Sequence, residues 1–371
     1  MFIKIPLRNV SFNLSVDPRL ITQLKEACAA NSGTLRSFAA SFFGENWRTK
    51  IVRSTIETIT DQTKLKHLSQ CAQKNFHTWK KNAKQAPRTV QVFSEDWGTA
   101  TLAATQKYGQ CYVVSNPASA QFPGGKFLDR GSALEENIFQ RTTCALTLFS
   151  PDVIYDAVTK SFSYTNELRK LIAAELGMSV TELEKLSQQY GYPVSHAYKV
   201  FLNPQPQICF RGPEVVIEND SSIDEIGGKN LKVAEPNLSF RVLPNHQIFP
   251  FIEMRSEAPY VNGQVKEDIL RIVLTKKIAA QLDTMILHGM RHCVLGAWGC
   301  GSYHNNPDLV AQVYAEEIYK RAPYFNHIIF SIYDTRFGEH NVKVFERYLE
   351  GIQLGPDKSK NLVQDDVSPT L

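Results

Sequence analysis

The residues best suited to chemistry gather in two glycine-rich segments, each running from an apolar strand into a helix. In the first, VVSNPASAQFPGGKFLDRGSALEENIFQRTT (113–143), a strand ending at Ser115 delivers Asn116 to the carboxyl edge of a sheet. Open α/β sheets bind their ligands at that edge. Gly124 and Gly125 form a turn without Cβ atoms, where backbone N–H groups can approach an anion closely. Gly131 and Ser132 then open a helix whose first turns carry Glu135 and Glu136. Neighbouring helical positions lie about 100° apart, so at most one of these carboxylates can face a bond being broken. The other braces a sugar hydroxyl or the backbone. Acidic first turns also cap helices well, and capping stands as the alternative reading of the pair.

The second segment, VLGAWGCGSYHNN (294–306), again runs from a strand through a turn to a helix start at Pro307. Gly296, Gly299 and Gly301 let the chain wrap an anion with successive N–H groups, helped by the dipole of the following helix. Ser302 completes the turn, and Tyr303 or His304 could pack against a sugar. The spacing is GxxGxG, neither the dinucleotide-binding nor the Walker pattern, so alone it fits an anion site or a tight packing turn equally. Two such loops at two strand ends of one sheet could clasp a diphosphate from both sides. Cys300 resembles a nucleophile only superficially, since the sequence positions no base for it. The histidines show no HExxH or paired spacing, and neither metal nor cofactor is expected.

These loops require a scaffold, and the pattern supplies one. Short apolar strands are expected at 89–93, 111–115, 207–217, 247–254, 293–297 and 328–333. They alternate with helical stretches at 97–107, from about 132, at 266–290 and at 307–321. Strands alternating with helices of ten residues or more indicate a three-layer α/β/α fold with a mixed, largely parallel sheet. Residues 1–88 read as an N-terminal helical extension, residues 89–355 as the main domain with a helical insertion at about 150–205, and 356–371 as a flexible polar tail. Between Arg48 and Arg88 ten Lys/Arg face two Asp/Glu. That run is either a solvated helical face or a surface for a polyanion or an acidic partner.

Composition narrows the classes. The 371 residues are 43% hydrophobic and 21% charged, which excludes disorder over most of the length. The formal net charge of +4 is too small to argue globally for DNA or a membrane surface. No run of 18 apolar residues is present, so no membrane span is expected, and the N-terminus lacks the continuous apolar core of a secretory signal. Seven cysteines without a CxxC pair suit a reducing compartment: a cytoplasmic protein, or a secreted bacterial effector acting in a host cytosol.

The two loops together resemble the signatures of the bacterial-type poly(ADP-ribose) glycohydrolases, a branch of the macrodomain superfamily. NPASAQFPGGK-FLDR-GSALEE is similar to that family's PGG(G) turn followed by Gly-Ala-x-x-Gln-Glu-Glu, and LGAWGCGSYHN to its LGAWGCGxFxN. The resemblance implies a macrodomain-like fold, ADP-ribose binding and hydrolysis of an ADP-ribosyl glycosidic bond, on a protein or within the polymer. Carried over by motif position, Glu136 is the acid/base, and Glu135 and Asn116 contact the ribose. Gly124 and Gly125 would meet the diphosphate on one side, where Lys126 would add a charge or swing out to solvent, and Gly299, Cys300, Gly301, Ser302 and Tyr303 on the other. Asp96 would accept from the adenine amino group. Two departures stand out: Lys126 replaces the third glycine and Leu134 the glutamine before the glutamate pair. They keep open a linkage to a single ADP-ribose, arginine included, and a non-catalytic ADP-ribose reader.

Overall fold

The computed structural model describes Thr22 and residues 47–128, 131–219, 231–263, 265–333 and 340–355. The expected tail, 356–371, and most of the expected N-terminal extension lie outside them. Its two described helices are α1 (Trp47–Thr60) and α2 (Gln62–Lys81). On α1, Val52, Thr55, Ile56 and Ile59 are buried at i, i+3, i+4 and i+7, one stripe of a helix. Asp61 caps α2 by accepting from the N–H groups of Thr63 and Lys64.

The strands follow as β1 (Val90–Phe93), β2 (Val113–Asn116), β3 (Val153–Asp156), β4 (Ser161–Tyr164), β5 (Phe201–Leu202) and β6 (Gln207–Cys209). Then come β7 (Val216–Asn219), β8 (Leu231–Ala234), β9 (Phe249–Arg255), β10 (His292–Leu295) and β11 (His327–Ser331). The helices between them are α3 (Trp97–Tyr108), α4 (Leu134–Arg141), α5 (Asn166–Ile172), α6 (Val180–Tyr190), α7 (Glu267–Leu287), α8 (Pro307–Arg321) and α9 (His340–Leu349).

The main sheet has the order β1-β11-β10-β2-β9-β5, with β6 also on β9. All pairings from β1 through β9 are parallel, whereas β5 and β6 run antiparallel to β9. Alternate side chains of the apolar strands enter two different cores, which explains their uninterrupted hydrophobic runs. Val113, Cys293, Leu295, Ile328 and Phe330 pack against α7, α8 and α9. Val114, Val294, Ile329, Phe249 and Phe251 pack with α1, α2, α3 and α4 on the other face. This is the expected three-layer α/β/α arrangement, and its helical layer includes α1 and α2.

Two stretches differ from the sequence reading. The insertion near 150–205 opens not as a helix but as the β3–β4 hairpin, and α5 and α6 follow it. The Asp156 carboxylate accepts from the N–H groups of Val158 and Thr159, a side-chain turn that reverses the chain without an Asn-Gly pair. The single strand expected at 207–217 is two, because Pro213 has no N–H for a ladder and the chain bends away after Cys209. Its second half, β7, pairs with β8 outside the main sheet. Among the described residues no helix is long and apolar enough to cross a membrane.

Candidate active site

Parallel β2, β10 and β11 lie side by side and end at one edge of the sheet, so the loops after them meet there. At the end of β2 the fully buried Asn116 donates its Nδ2 to Glu253 Oε1 at 2.8 Å. The chain then crosses to α4, whose N-cap, Ala133, makes no side-chain capping bond. The two first-turn glutamates do not cap their own helix either. Glu135 Oε2 accepts the Ser119 N–H and Glu136 Oε1 the Lys126 N–H, each at 2.8 Å, so both reach across to the first glycine loop. Among the described residues the second oxygens, Glu135 Oε1 and Glu136 Oε2, have no partner and are buried, as is Asn116 Oδ1. Buried polar atoms are normally satisfied, and three unpartnered oxygens mark a site built for a polar ligand. Gly125 has φ +56°, and a Cβ there would lie 2.7 Å from Glu136 Oε1 and 2.9 Å from Glu135 Oε2. Only glycine lets the backbone pass so close over the pair.

The second loop is held open by its own staples. Trp298 Nε1 donates to the Ser256 carbonyl at 2.9 Å, and Asn305 Nδ2 donates to the carbonyls of Pro259 and Gly299 at 2.8 and 3.0 Å. Gly299, at φ +78°, sits against that amide. Between this loop and the start of α4 lies a cavity of about 330 Å³. Gly299, Gly301, Ser302 and Tyr303 line it from one side, Leu134 and Asn137 from the other, and Asp96 closes one end. Ser115 and Pro117, on either side of Asn116, also reach it. Glu135 and Glu136 are only 5% and 6% exposed and lie beneath the Gly125 turn, next to the cavity wall rather than in it. Burial pushes the Tyr303 phenol up to about 12, helped by the charges of Glu257, Glu135 and Glu136.

Burial is also the main reason the Glu135 carboxyl titrates well above the usual carboxylate range. The Ser119 N–H opposes that shift and the Glu136 charge adds to it. Asp96 lines the cavity, but both its oxygens are taken by Arg141, at 2.7 and 2.9 Å. It also accepts from the Thr99 N–H as the N-cap of α3. Five expected substrate contacts, Asn116, Gly124, Gly125, Lys126 and Cys300, do not line the cavity. The Lys126 side chain is exposed, with only its N–H engaged at the site, because the turn aims the Cβ outward. The Cys300 thiol turns back toward the Trp298 carbonyl, and burial raises it to about 12, which leaves it protonated.

Sequence reasoning missed three charged residues that hold the site. Glu253 and Arg255 form a fully buried ion pair on β9, with Arg255 Nη2 2.7 Å from Glu253 Oε2. Arg141, one helical turn beyond Asn137, locks Asp96 and also donates to Asn137 Oδ1 at 2.9 Å. The one available signal was opposite charges two apart in an apolar strand, FPFIEMR.

Residues 34–170 match the family model of the microbial-type PARG catalytic domain. The match contains Asn116, the first glycine loop and both glutamates, and ends before the second loop. Among solved structures, the chain is similar to the poly(ADP-ribose) glycohydrolase of Thermomonospora curvata bound to the inhibitor ADP-HPD. The identity is 20% and the TM-score 0.47, over 81% of this chain and 98% of that one. It is also similar to the poly(ADP-ribose) glycohydrolase of Deinococcus radiodurans in complex with ADP-ribose, at 21% identity and a TM-score of 0.43, over 74% of this chain and 89% of that one. No curated protein matches the sequence.

Proposed function

We propose that this protein is an ADP-ribosyl glycohydrolase, which binds ADP-ribose in the cavity and hydrolyses its glycosidic bond within poly(ADP-ribose) or to a protein side chain. The observation that carries the reading is the pair of adjacent glutamates, each spending one oxygen on the glycine loop and keeping the other unpartnered. A capping pair has no need of that arrangement. The T. curvata and D. radiodurans proteins are glycohydrolases of this polymer, and the family match covers the same pair.

In this reading the diphosphate lies against the second loop, where Gly299, Gly301 and Ser302 line the cavity, while the Gly125 and Lys126 N–H groups of the first loop are spent on the Phe122 carbonyl and on Glu136. Cleavage at the anomeric carbon passes through an oxocarbenium-like state, which the neighbouring diphosphate charge stabilises. Glu136 protonates the leaving atom and then takes a proton from the attacking water, work worth about 10²–10⁴-fold. Its bond to the Lys126 N–H holds one oxygen and aims the other. Glu135, its proton retained by burial, accepts and donates to ribose hydroxyls. Tyr303 packs against the sugar from the second loop. The exposed Lys64, Lys66, Lys74, Lys80 and Lys81 of α2 form a cationic face suited to the polymer.

The test is Glu136→Gln. ADP-ribose binding should survive by calorimetry while release of ADP-ribose from polymer and from arginine-, glutamate- and serine-linked protein is lost. Release at the unmodified rate would reject the assignment. Leu134, an apolar wall where the family has glutamine, favours a second reading as a non-catalytic reader. Turnover on any of these substrates eliminates it.

A further inference from the structure

The buried pair behind Asn116 has a consequence for what the site can accept. Glu253 and Arg255 are each 0% exposed near the carboxyl end of β9. Removing two ions from water is so unfavourable that apolar residues in their place would stabilise the fold at least as well. What an ion pair supplies, and apolar residues cannot, is polar atoms at fixed positions. Arg255 donates through Nε to Glu253 Oε1 and through Nη2 to Glu253 Oε2, at 2.8 and 2.7 Å. It also donates through Nη1 to the Tyr164 hydroxyl at 3.1 Å, and through Nη2 to Thr147. The guanidinium lies against the rings of Phe139 on α4 and Phe201 on β5. Arg255 is thus held from five directions and in turn holds the Glu253 carboxylate oriented, with both carboxylate oxygens accepting from the guanidinium.

Both oxygens of that carboxylate accept from the guanidinium, so it meets Asn116 as an acceptor, and Asn116 presents its NH₂ to it at 2.8 Å. The amide cannot flip, and its other end, Oδ1, is the unpartnered atom. We propose that Glu253 and Arg255 are positioning residues that fix Asn116 as an obligate acceptor, so that the site requires a hydrogen-bond donor, a free hydroxyl of the distal ribose, at that point. The inference rests on the ADP-ribose reading above and adds a selection rule: a sugar whose hydroxyl at that point is missing or capped is rejected.

The test compares two ligands, ADP-ribose and ADP, the second lacking the distal ribose, in the full chain. Glu253→Gln frees the Asn116 amide to flip. It should weaken ADP-ribose about tenfold, the weight of one hydrogen bond in a buried site, and leave ADP unchanged. Asn116→Ala should do the same, and the double variant should be no worse than either single one. Equal weakening of both ligands, or of neither, overturns the inference. If the unmodified protein binds neither ligand, the ADP-ribose reading itself falls. Should Glu253→Gln fail to fold, the Asn116 side-chain amide in the unmodified protein decides by NMR. Its NH₂ hydrogens should be slow to exchange with solvent and keep their shift when ADP-ribose is added, as Oδ1 is the end that meets the ligand. Fast exchange, or a large shift of the NH₂ group on binding, refutes it.

Discussion

Replacing Gly125 by alanine separates the chemistry of the site from the stability of the fold. At φ +56° an alanine loses about 1–2 kcal/mol to left-handed strain alone. Its Cβ would also lie 2.7 Å from Glu136 Oε1, against an ordinary contact of at least 3.4 Å, so the carboxylate must withdraw by about 0.7 Å. A misplacement of about 1 Å at a reacting group reduces rate about 10²-fold. Gly191, the left-handed C-cap of α6, is the matched control: its φ is +74° and nothing lies within 4 Å of an added Cβ. Both variants should therefore lose similar stability in urea. Gly125→Ala alone should lose one to two orders of magnitude in release of ADP-ribose from the polymer, saturating substrate included. Full turnover by Gly125→Ala, or an equal loss in Gly191→Ala, would refute the view that the turn is glycine because of the two carboxylates.

Other perturbations report on other parts of the site. Burial raises the folded-state pKa of Glu135 above the unfolded value of about 4.3, so the folded protein keeps a proton the unfolded chain releases. Stability from this group is complete below that unfolded value and declines as pH rises through the folded one. Glu135→Gln should flatten the upper part of a urea-midpoint profile, and parallel profiles would contradict the shift. His327, bonded to Tyr112 and Gln91, works in the opposite sense. Burial lowers it to about 4 from 6.5, so its contribution is present above pH 6.5 and fades as pH falls toward 4, and His327→Gln should remove that slope. Arg141→Leu strands the buried Asp96 carboxylate and should cost about 3–5 kcal/mol in chemical denaturation, whereas a loss under 1 kcal/mol would show that Asp96 finds another partner.

The parts legible in the sequence are those whose physics is local. Helix α8 announces itself through Asn306, which caps it, and Pro307 at its first position, and its observed bounds are the expected ones. Strands β2, β10 and β11 were readable because both their faces are buried, which leaves apolar runs without alternation. The β3–β4 hairpin has half-buried four-residue strands and a turn built on Asp156, with Lys160 at φ +52°, and neither feature carries a standard hairpin signature. Local spacing likewise brought Asn116, the glycine turn and the glutamates into one segment, and the fold joins the loop to the glutamates through bonds of 10 and 16 residues' separation.

Residues that act across the sheet follow a different logic. β9 lies beside β2 in a register that sets Arg255 opposite Asn116 and Glu253 opposite Val114, a pairing no periodicity along the chain encodes. All seven residues of β9 are buried, and two of them are charged. A fully buried strand holds charges only if polar groups on neighbouring elements answer them. Here those groups are Asn116 on β2, Tyr164 on the hairpin and Thr147 beside α4. The charges of β9 therefore tie the loop that carries the chemistry to the insertion beside it, which also bonds that loop directly through the Tyr164 N–H and the Gln121 carbonyl, and a deletion of the hairpin should disturb Asn116. Such a deletion variant that stays folded and keeps its preference for ADP-ribose over ADP would break this chain of contacts at Tyr164.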